Sequence, residues 1–276
     1  MKMFNKVVII GTGLIGGSLG LALKNQRLAG QVIGLSRRRK NARLAKKIGA
    51  IDNIGSSLEA VSGADLVILA TPVDTIIELA PKIAKKLKKG CIVIDVGSTK
   101  ERIVSKLGAL IPGFVGCHPL AGSEKRGAAN LQEDIFKDSI CIITPASKIN
   151  SAVLNKIKLF WKKLGARVII LSPKKHDQVL AFTSHLPHAV AFSLISAIPD
   201  KFLKISSSGL KDITRISGSD ELLWSQIFLS NRKNLLDAVS SFQKKLSGLK
   251  TALKNADLKH LVRILSSART KREKLG

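Results

Sequence analysis

Gly11-Thr12-Gly13-Leu14-Ile15-Gly16 is the stretch that decides the fold. It follows the apolar run Lys6-Val7-Val8-Ile9-Ile10 and leads into Gly17-Ser18-Leu19-Gly20-Leu21-Ala22-Leu23. Strand, glycine-rich turn and helix in that order make a dinucleotide-binding turn. Gly11 permits the tight turn, Gly13 lets a pyrophosphate approach the backbone, and Gly16 lets the helix lie close to the strand. The free N–H groups of the helix N-terminus then face the phosphates. All six residues, Thr12, Leu14 and Ile15 included, are expected at the cofactor.

Outward from this turn the first half alternates strand-like and helix-like segments. Strands are expected at Gln31–Leu35, Asp65–Ala70, Cys91–Val96, Phe114–Cys117, Ile140–Thr144 and Arg167–Leu171, with helices at Arg37–Lys47, Val73–Lys88 and Lys156–Leu164. Short apolar runs between helices imply an α/β fold with a doubly wound, mainly parallel sheet of Rossmann type. Ligands of such a sheet collect at the carboxyl ends of its strands. Thr71 and Pro72, Ser98 and His118 stand at three of those ends. Beyond Ser172-Pro173 the strand signals vanish and helical periodicity continues to the end. The expected organisation is a dinucleotide-binding domain over 1–171 and an all-helical C-terminal domain over 172–276.

The chain has 276 residues, 45% of them hydrophobic, enough for a sizeable core. By sequence, no apolar run reaches the length of a membrane span and no signal peptide is expected. Cys91, Cys117 and Cys141 are odd in number and lack metal spacing, so they read as reduced thiols of a cytoplasmic protein. The net charge of +27 favours anionic partners: phosphorylated cofactors, carboxylate substrates or nucleic acid. From Lys244 onward there are ten basic and two acidic residues, read as a solvated basic helix face. Aromatic residues are 4% and tyrosine is absent, which argues against platforms for stacking single-stranded nucleic acid.

In folds that take NAD, a carboxylate after the second strand holds the ribose hydroxyls. Here Ser36-Arg37-Arg38-Arg39-Lys40 follows Leu35 instead. A hydroxyl and guanidinium groups suit a 2′-phosphate, so Ser36, Arg37 and Arg38 point to NADP.

Chemistry is expected at His118, set between a strand and the Pro119 and Gly122 turns. A second cluster, Ser184-His185-Leu186-Pro187-His188, places two histidines on one helix face, with Pro187 expected to kink or divide the helix. A third, Lys211-Asp212-Ile213-Thr214-Arg215, offers Arg215 as a carboxylate clamp. There is no HExxH spacing and no carboxylate pair, so no metal is expected.

These segments together resemble the prephenate/arogenate dehydrogenase family of tyrosine biosynthesis. The likeness covers nearly the whole chain. It rests on the glycine turn, Val96-Gly97-Ser98-Thr99-Lys100, His118-Pro119-Leu120-Ala121-Gly122, Ser184-His185-Leu186-Pro187-His188 and Lys211-Asp212-Ile213-Thr214-Arg215-Ile216. The resemblance implies NADP-dependent oxidative decarboxylation of prephenate by a homodimer joined through its helical domain. It implies catalytic roles for His118 and Ser98, a carboxylate contact for Arg215, and a pocket lined by His188, Ser184, His185, Glu124 and Trp224. No chorismate mutase segment or regulatory domain is expected beside the fold. The close alternative is arogenate as substrate. More distant ones are another hydroxyacid dehydrogenase, for which Lys211 is the one catalytic lysine on offer, and a nucleic-acid-binding protein.

Overall fold

The computed structural model describes residues 2–121 and 127–275. The first half runs β1 (Phe4–Ile10), α1 (Leu14–Asn25), β2 (Ala29–Leu35), α2 (Arg39–Lys47), β3 (Asn53–Ile54), β4 (Leu66–Leu69), α3 (Val73–Ala84), β5 (Ile92–Asp95), α4 (Glu101–Leu110), β6 (Phe114–Pro119), β7 (Ile140–Pro145), α5 (Ser151–Lys163) and β8 (Arg167–Ile170). The strands form one sheet in the order β3-β2-β1-β4-β5-β6-β7-β8. Every pairing is parallel except β6 with β7. A parallel neighbour needs a long crossover, most often a helix. The described part of the link from β6 to β7 holds one short 3₁₀ turn, Ala128–Asn130, and the chain returns antiparallel.

Alternation along the strands builds a core on each face. Val7, Ile9, Ile68 and Ile94 pack with Leu19 and Leu23 of α1 and with Ile157, Phe160 and Trp161 of α5. Val8, Ile10, Val67, Leu69 and Val93 pack with Ile76 and Ile83 of α3 and Ile103 and Leu107 of α4. Strands covered on both faces read as unbroken apolar runs, which is why the sequence shows them so clearly. The strand order reverses between β1 and β4, so a crevice opens beyond their carboxyl ends.

Only helices follow β8 among the described residues. They are α6 (Pro173–Leu180), α7 (Leu186–Ser196), α8 (Asp200–Leu203), α9 (Ser208–Thr214), α10 (Glu221–Ser230), α11 (Arg232–Lys254) and α12 (Leu258–Glu273). A π-helical turn, Ala181–His185, joins α6 to α7. Pro187, at the start of α7, has no N–H for the preceding turn and its ring crowds the carbonyl four residues back. The wide turn before it accommodates both, so the division expected at Pro187 takes the form of a π-bulge.

The helical stretch Pro173–Ser196 is, among the described residues, the one long and apolar enough to cross a membrane by length and composition, an 18-residue window of it having a mean hydropathy of 1.3. It is not one uninterrupted apolar run: Ser184, His185 and His188 interrupt it, and Lys174, Lys175, His176 and Asp177 precede its apolar part. Other differences are at element ends. α3 stops at Ala84, before the lysine-rich link to Gly90, which turns at φ +80°. α4 and the two-residue β3 have no sequence counterpart above.

Candidate active site

The glycine turn has the shape a dinucleotide needs. Gly11 sits at φ 105°, a conformation that disfavours side chains. A Cβ on Gly16 would lie 1.9 Å from the Gly11 carbonyl oxygen, whereas a Cβ on Gly13 would meet nothing within 4 Å. Gly16 is thus held by packing, while Gly13 borders open space at the helix N-terminus. α1 has no acidic residue in its first turn and no side-chain cap, so its N–H groups are left for an anion. Thr71, past the end of β4, and Pro72, capping α3, form the neighbouring wall. These features fit a nicotinamide dinucleotide. Thr12 differs in detail: it is fully buried, with its methyl towards Gly34 of β2. Leu14 and Ile15 are half-buried in the first turn of α1. Beyond β2, Ser36 is half-buried and Arg37 and Arg38 are exposed, Arg38 standing before α2.

His118 lies near the carboxyl end of β6. Its Nδ1 is 2.8 Å from Nε2 of His176, whose Nδ1 is 2.8 Å from Oδ1 of Asp177. Asp177 accepts the backbone N–H of Lys100 on Oδ1 at 2.7 Å and that of Glu101 on Oδ2 at 2.9 Å. A carboxylate from α6 thereby occupies the N-terminus of α4, where donors are unpaired and the helix dipole is positive. Ser98 is half-buried just beyond β5, which pairs with β6 through Asp95 and Gly116. Below it, Lys100 and Asp95 form a fully buried ion pair. Asp95 also accepts the Gly97 N–H at 2.8 Å, and burial pushes its carboxyl up.

The helical half closes over this strand end. Asn231, before α11, donates from Nδ2 to the Asp177 carbonyl at 2.7 Å and to His185 Nδ1 at 3.1 Å. His188 Nδ1 lies 2.9 Å from the Ser184 carbonyl oxygen. Its ring stacks on Trp224 of α10 with centroids 3.5 Å apart and 20° between planes, and His185 meets the edge of the same indole. Thr99 and Ser230 share a hydroxyl hydrogen bond of 2.8 Å that ties the β5 loop to α10.

Four of the five histidines therefore fall in one cluster, and all four are held below the usual imidazole range. Burial is the first cause in each case. For His118 the facing His176 adds to it, then Lys100. His185 is brought to about 4. At His188 a backbone bond to Ser184 opposes the effect and the Arg215 cation adds to it. A neutral imidazole at His118 can accept a proton or a hydrogen bond, the property a base needs.

The structure thus brings together His118, Ser184, His185, His188 and Trp224 near one strand end, with Ser98 at the next, while Arg215 is exposed just after α9. Glu124 lies outside the described residues. Lys211 is exposed on α9. Sequence reasoning missed His176, Asp177 and Asn231. The one local signal for the first two is a buried His-Asp pair in the polar helix α6, beginning four residues after the Ser172 cap.

The sequence and the fold match known proteins. The family model for the prephenate dehydrogenase nucleotide-binding domain matches residues 19–170, and that for the prephenate dehydrogenase dimerization domain matches 172–267. Prephenate dehydrogenase of Bacillus subtilis is 32% identical, over 99% of this chain and 77% of its own. The structure is similar to that of Aquifex aeolicus prephenate dehydrogenase in complex with hydroxyphenyl propionate and NAD+, with a TM-score of 0.92 and 34% identity, covering 99% of this chain and 98% of that one. Synechocystis arogenate dehydrogenase gives a TM-score of 0.84 at 29% identity, over 98% of this chain and 100% of that one. Matched in both halves and along its whole length, the chain belongs to the prephenate/arogenate dehydrogenase family.

Proposed function

We propose that the protein catalyses the NADP-dependent oxidative decarboxylation of prephenate to 4-hydroxyphenylpyruvate and CO2. The observation that carries this reading is His118 near the carboxyl end of β6, its Nδ1 2.8 Å from Nε2 of the buried His176 and its imidazole held below the usual range by burial. The nicotinamide supplies the hydride acceptor. His118 accepts the hydrogen bond of the ring hydroxyl, whose oxygen gains positive character as hydride leaves its carbon, and Ser98 shares that hydroxyl. The bond to the ring carboxylate breaks, its electron pair enters the ring, and CO2 departs. Because the ring becomes aromatic, the protein needs only to orient the substrate and stabilise the developing charge. Arg215 holds a substrate carboxylate, and His188, stacked on Trp224, forms the pocket wall with Ser184 and His185. Glu124 is assigned to the same pocket by resemblance.

The preference for NADP rests on Ser36, Arg37 and Arg38 beyond β2, where no carboxylate stands. A division near residue 171, with substrate binding and dimerisation in the helical part, is supported by the large apolar side chains that part exposes, among them Leu229 and Leu258. The three buried free thiols accord with a cytoplasmic protein.

Arogenate, which carries an amine where prephenate carries a keto group, is the second reading, favoured by the likeness to the Synechocystis enzyme. The test is reduced-nicotinamide absorbance in four mixtures: prephenate or arogenate, each with NADP or NAD. The expected result is fastest turnover with prephenate and NADP. Turnover confined to arogenate would select the second reading, and no turnover in any mixture by folded protein would refute both.

A further inference from the structure

His118 can accept the substrate hydroxyl only if the right ring nitrogen lacks a proton. The structure carries an answer in the residues behind it. Both oxygens of Asp177 take backbone N–H groups, from Lys100 and from Glu101, so this carboxylate is an acceptor on both sides. Its Oδ1 is also 2.8 Å from His176 Nδ1, and that nitrogen must therefore carry the proton. His176 is fully buried, and burial holds it neutral. A neutral imidazole protonated on Nδ1 has its lone pair on Nε2. That lone pair faces His118 Nδ1 at 2.8 Å. Two lone pairs do not meet at that distance, so His118 Nδ1 is the donor. The lone pair of His118 then sits on Nε2, the nitrogen that His176 does not engage.

We infer that His176 is a positioning residue: braced by Asp177 at the N-terminus of α4, it fixes His118 as the Nδ1–H tautomer with Nε2 as the accepting atom. This rests on the reading of His118 as the hydroxyl acceptor. The arrangement also links the two halves of the chain, since His176 and Asp177 belong to α6 while His118 ends a strand of the sheet. An acidic partner that selects the tautomer of a catalytic histidine is a general device; here a second imidazole stands between the two.

The test begins with the ¹⁵N spectrum of histidine-labelled, ligand-free protein near neutral pH. The expected signature for His118 is a protonated Nδ1 and an unprotonated Nε2. Kinetics of two variants follow. His176→Leu keeps bulk and removes both polar atoms. It is expected to lower kcat by roughly 10²-fold with both KM values within about twofold. His176→Gln keeps one donor and one acceptor on its amide and is expected to recover to within about tenfold of the wild type. A wild-type His118 carrying its proton on Nε2 would overturn the inference, even if the leucine variant failed to fold. Equal losses in the leucine and glutamine variants would overturn it as well, by reducing His176 to packing. Failure of the functional reading shows separately, as His118→Asn retaining its turnover.

Discussion

Gly13 and Gly16 stand three residues apart in one turn and are needed for different reasons. A methyl on Gly16 collides with the Gly11 carbonyl oxygen at 1.9 Å, so the cost falls on the fold. Gly16→Ala should destabilise the protein by about 2 kcal/mol or more, read as a lower thermal midpoint. A methyl on Gly13 meets no protein atom within 4 Å. Gly13→Ala should leave the midpoint unchanged and raise the cofactor KM roughly tenfold or more, because the methyl occupies space that the pyrophosphate needs. A Gly13→Ala enzyme with an unaltered cofactor KM would move the phosphates away from this turn. The same separation of roles applies at Thr12, whose position in the motif is cofactor-facing but whose side chain belongs to the packing against β2.

At the scale of elements, the proposed choice of NADP rests on the end of β2. The chain leaves that strand through Ser36, Arg37 and Arg38 and enters α2, whose first turn holds no acidic residue. Replacing Arg37 and Arg38 together by alanine should raise the NADP KM by roughly 10- to 100-fold and leave that for NAD within about twofold. Equal changes for both cofactors would remove the 2′-phosphate from this strand end. Such features were legible in the sequence because they are local: a glycine turn, a strand end and its next residues are contiguous. The strands of the sheet were equally legible, since burial on both faces makes each an apolar run. The His118–His176–Asp177 chain was not. Its partners are 58 residues apart, from a strand and a helix of different halves, and nothing at either end encodes the other. Asn231 was hidden for the same reason: its two acceptors, Asp177 and His185, lie on the long helix and become neighbours only when α11 packs against it. The π-turn at Ala181–His185 was partly foreseeable from Pro187, though a proline signals only an interruption and not its form.

For the whole molecule, the buried histidines set an acid limit. His185 is brought from the usual 6.5 to about 4, and His118 and His176 are also lowered, by burial first of all. The folded chain thus binds fewer protons than the unfolded chain between these values. Stability is complete above about pH 6.5 and falls as the pH drops towards about 4, by roughly 3 kcal/mol for His185 alone. Calorimetry over that range should show a steadily falling midpoint, and a flat profile would mean that these rings are hydrated. Assembly belongs to this scale too. Leu258 is 72% exposed and Leu265 61%, both on α12, and large apolar side chains of α10 and α11 are also uncovered. A second copy is the expected cover. Light scattering should give twice the 29.7 kDa of one chain, and a monomer at micromolar concentration would refute the dimer. The central claim is that His118 serves a reaction in which hydride transfer and loss of CO2 are coupled. The measurement that tests it most directly is reduced cofactor and CO2 released together from prephenate and NADP, by the wild type and by His118→Asn. The account predicts equal amounts of the two products from the wild type and a rate at least ~10²-fold lower in the variant. Reduced cofactor without CO2, or an undiminished rate in His118→Asn, would contradict it.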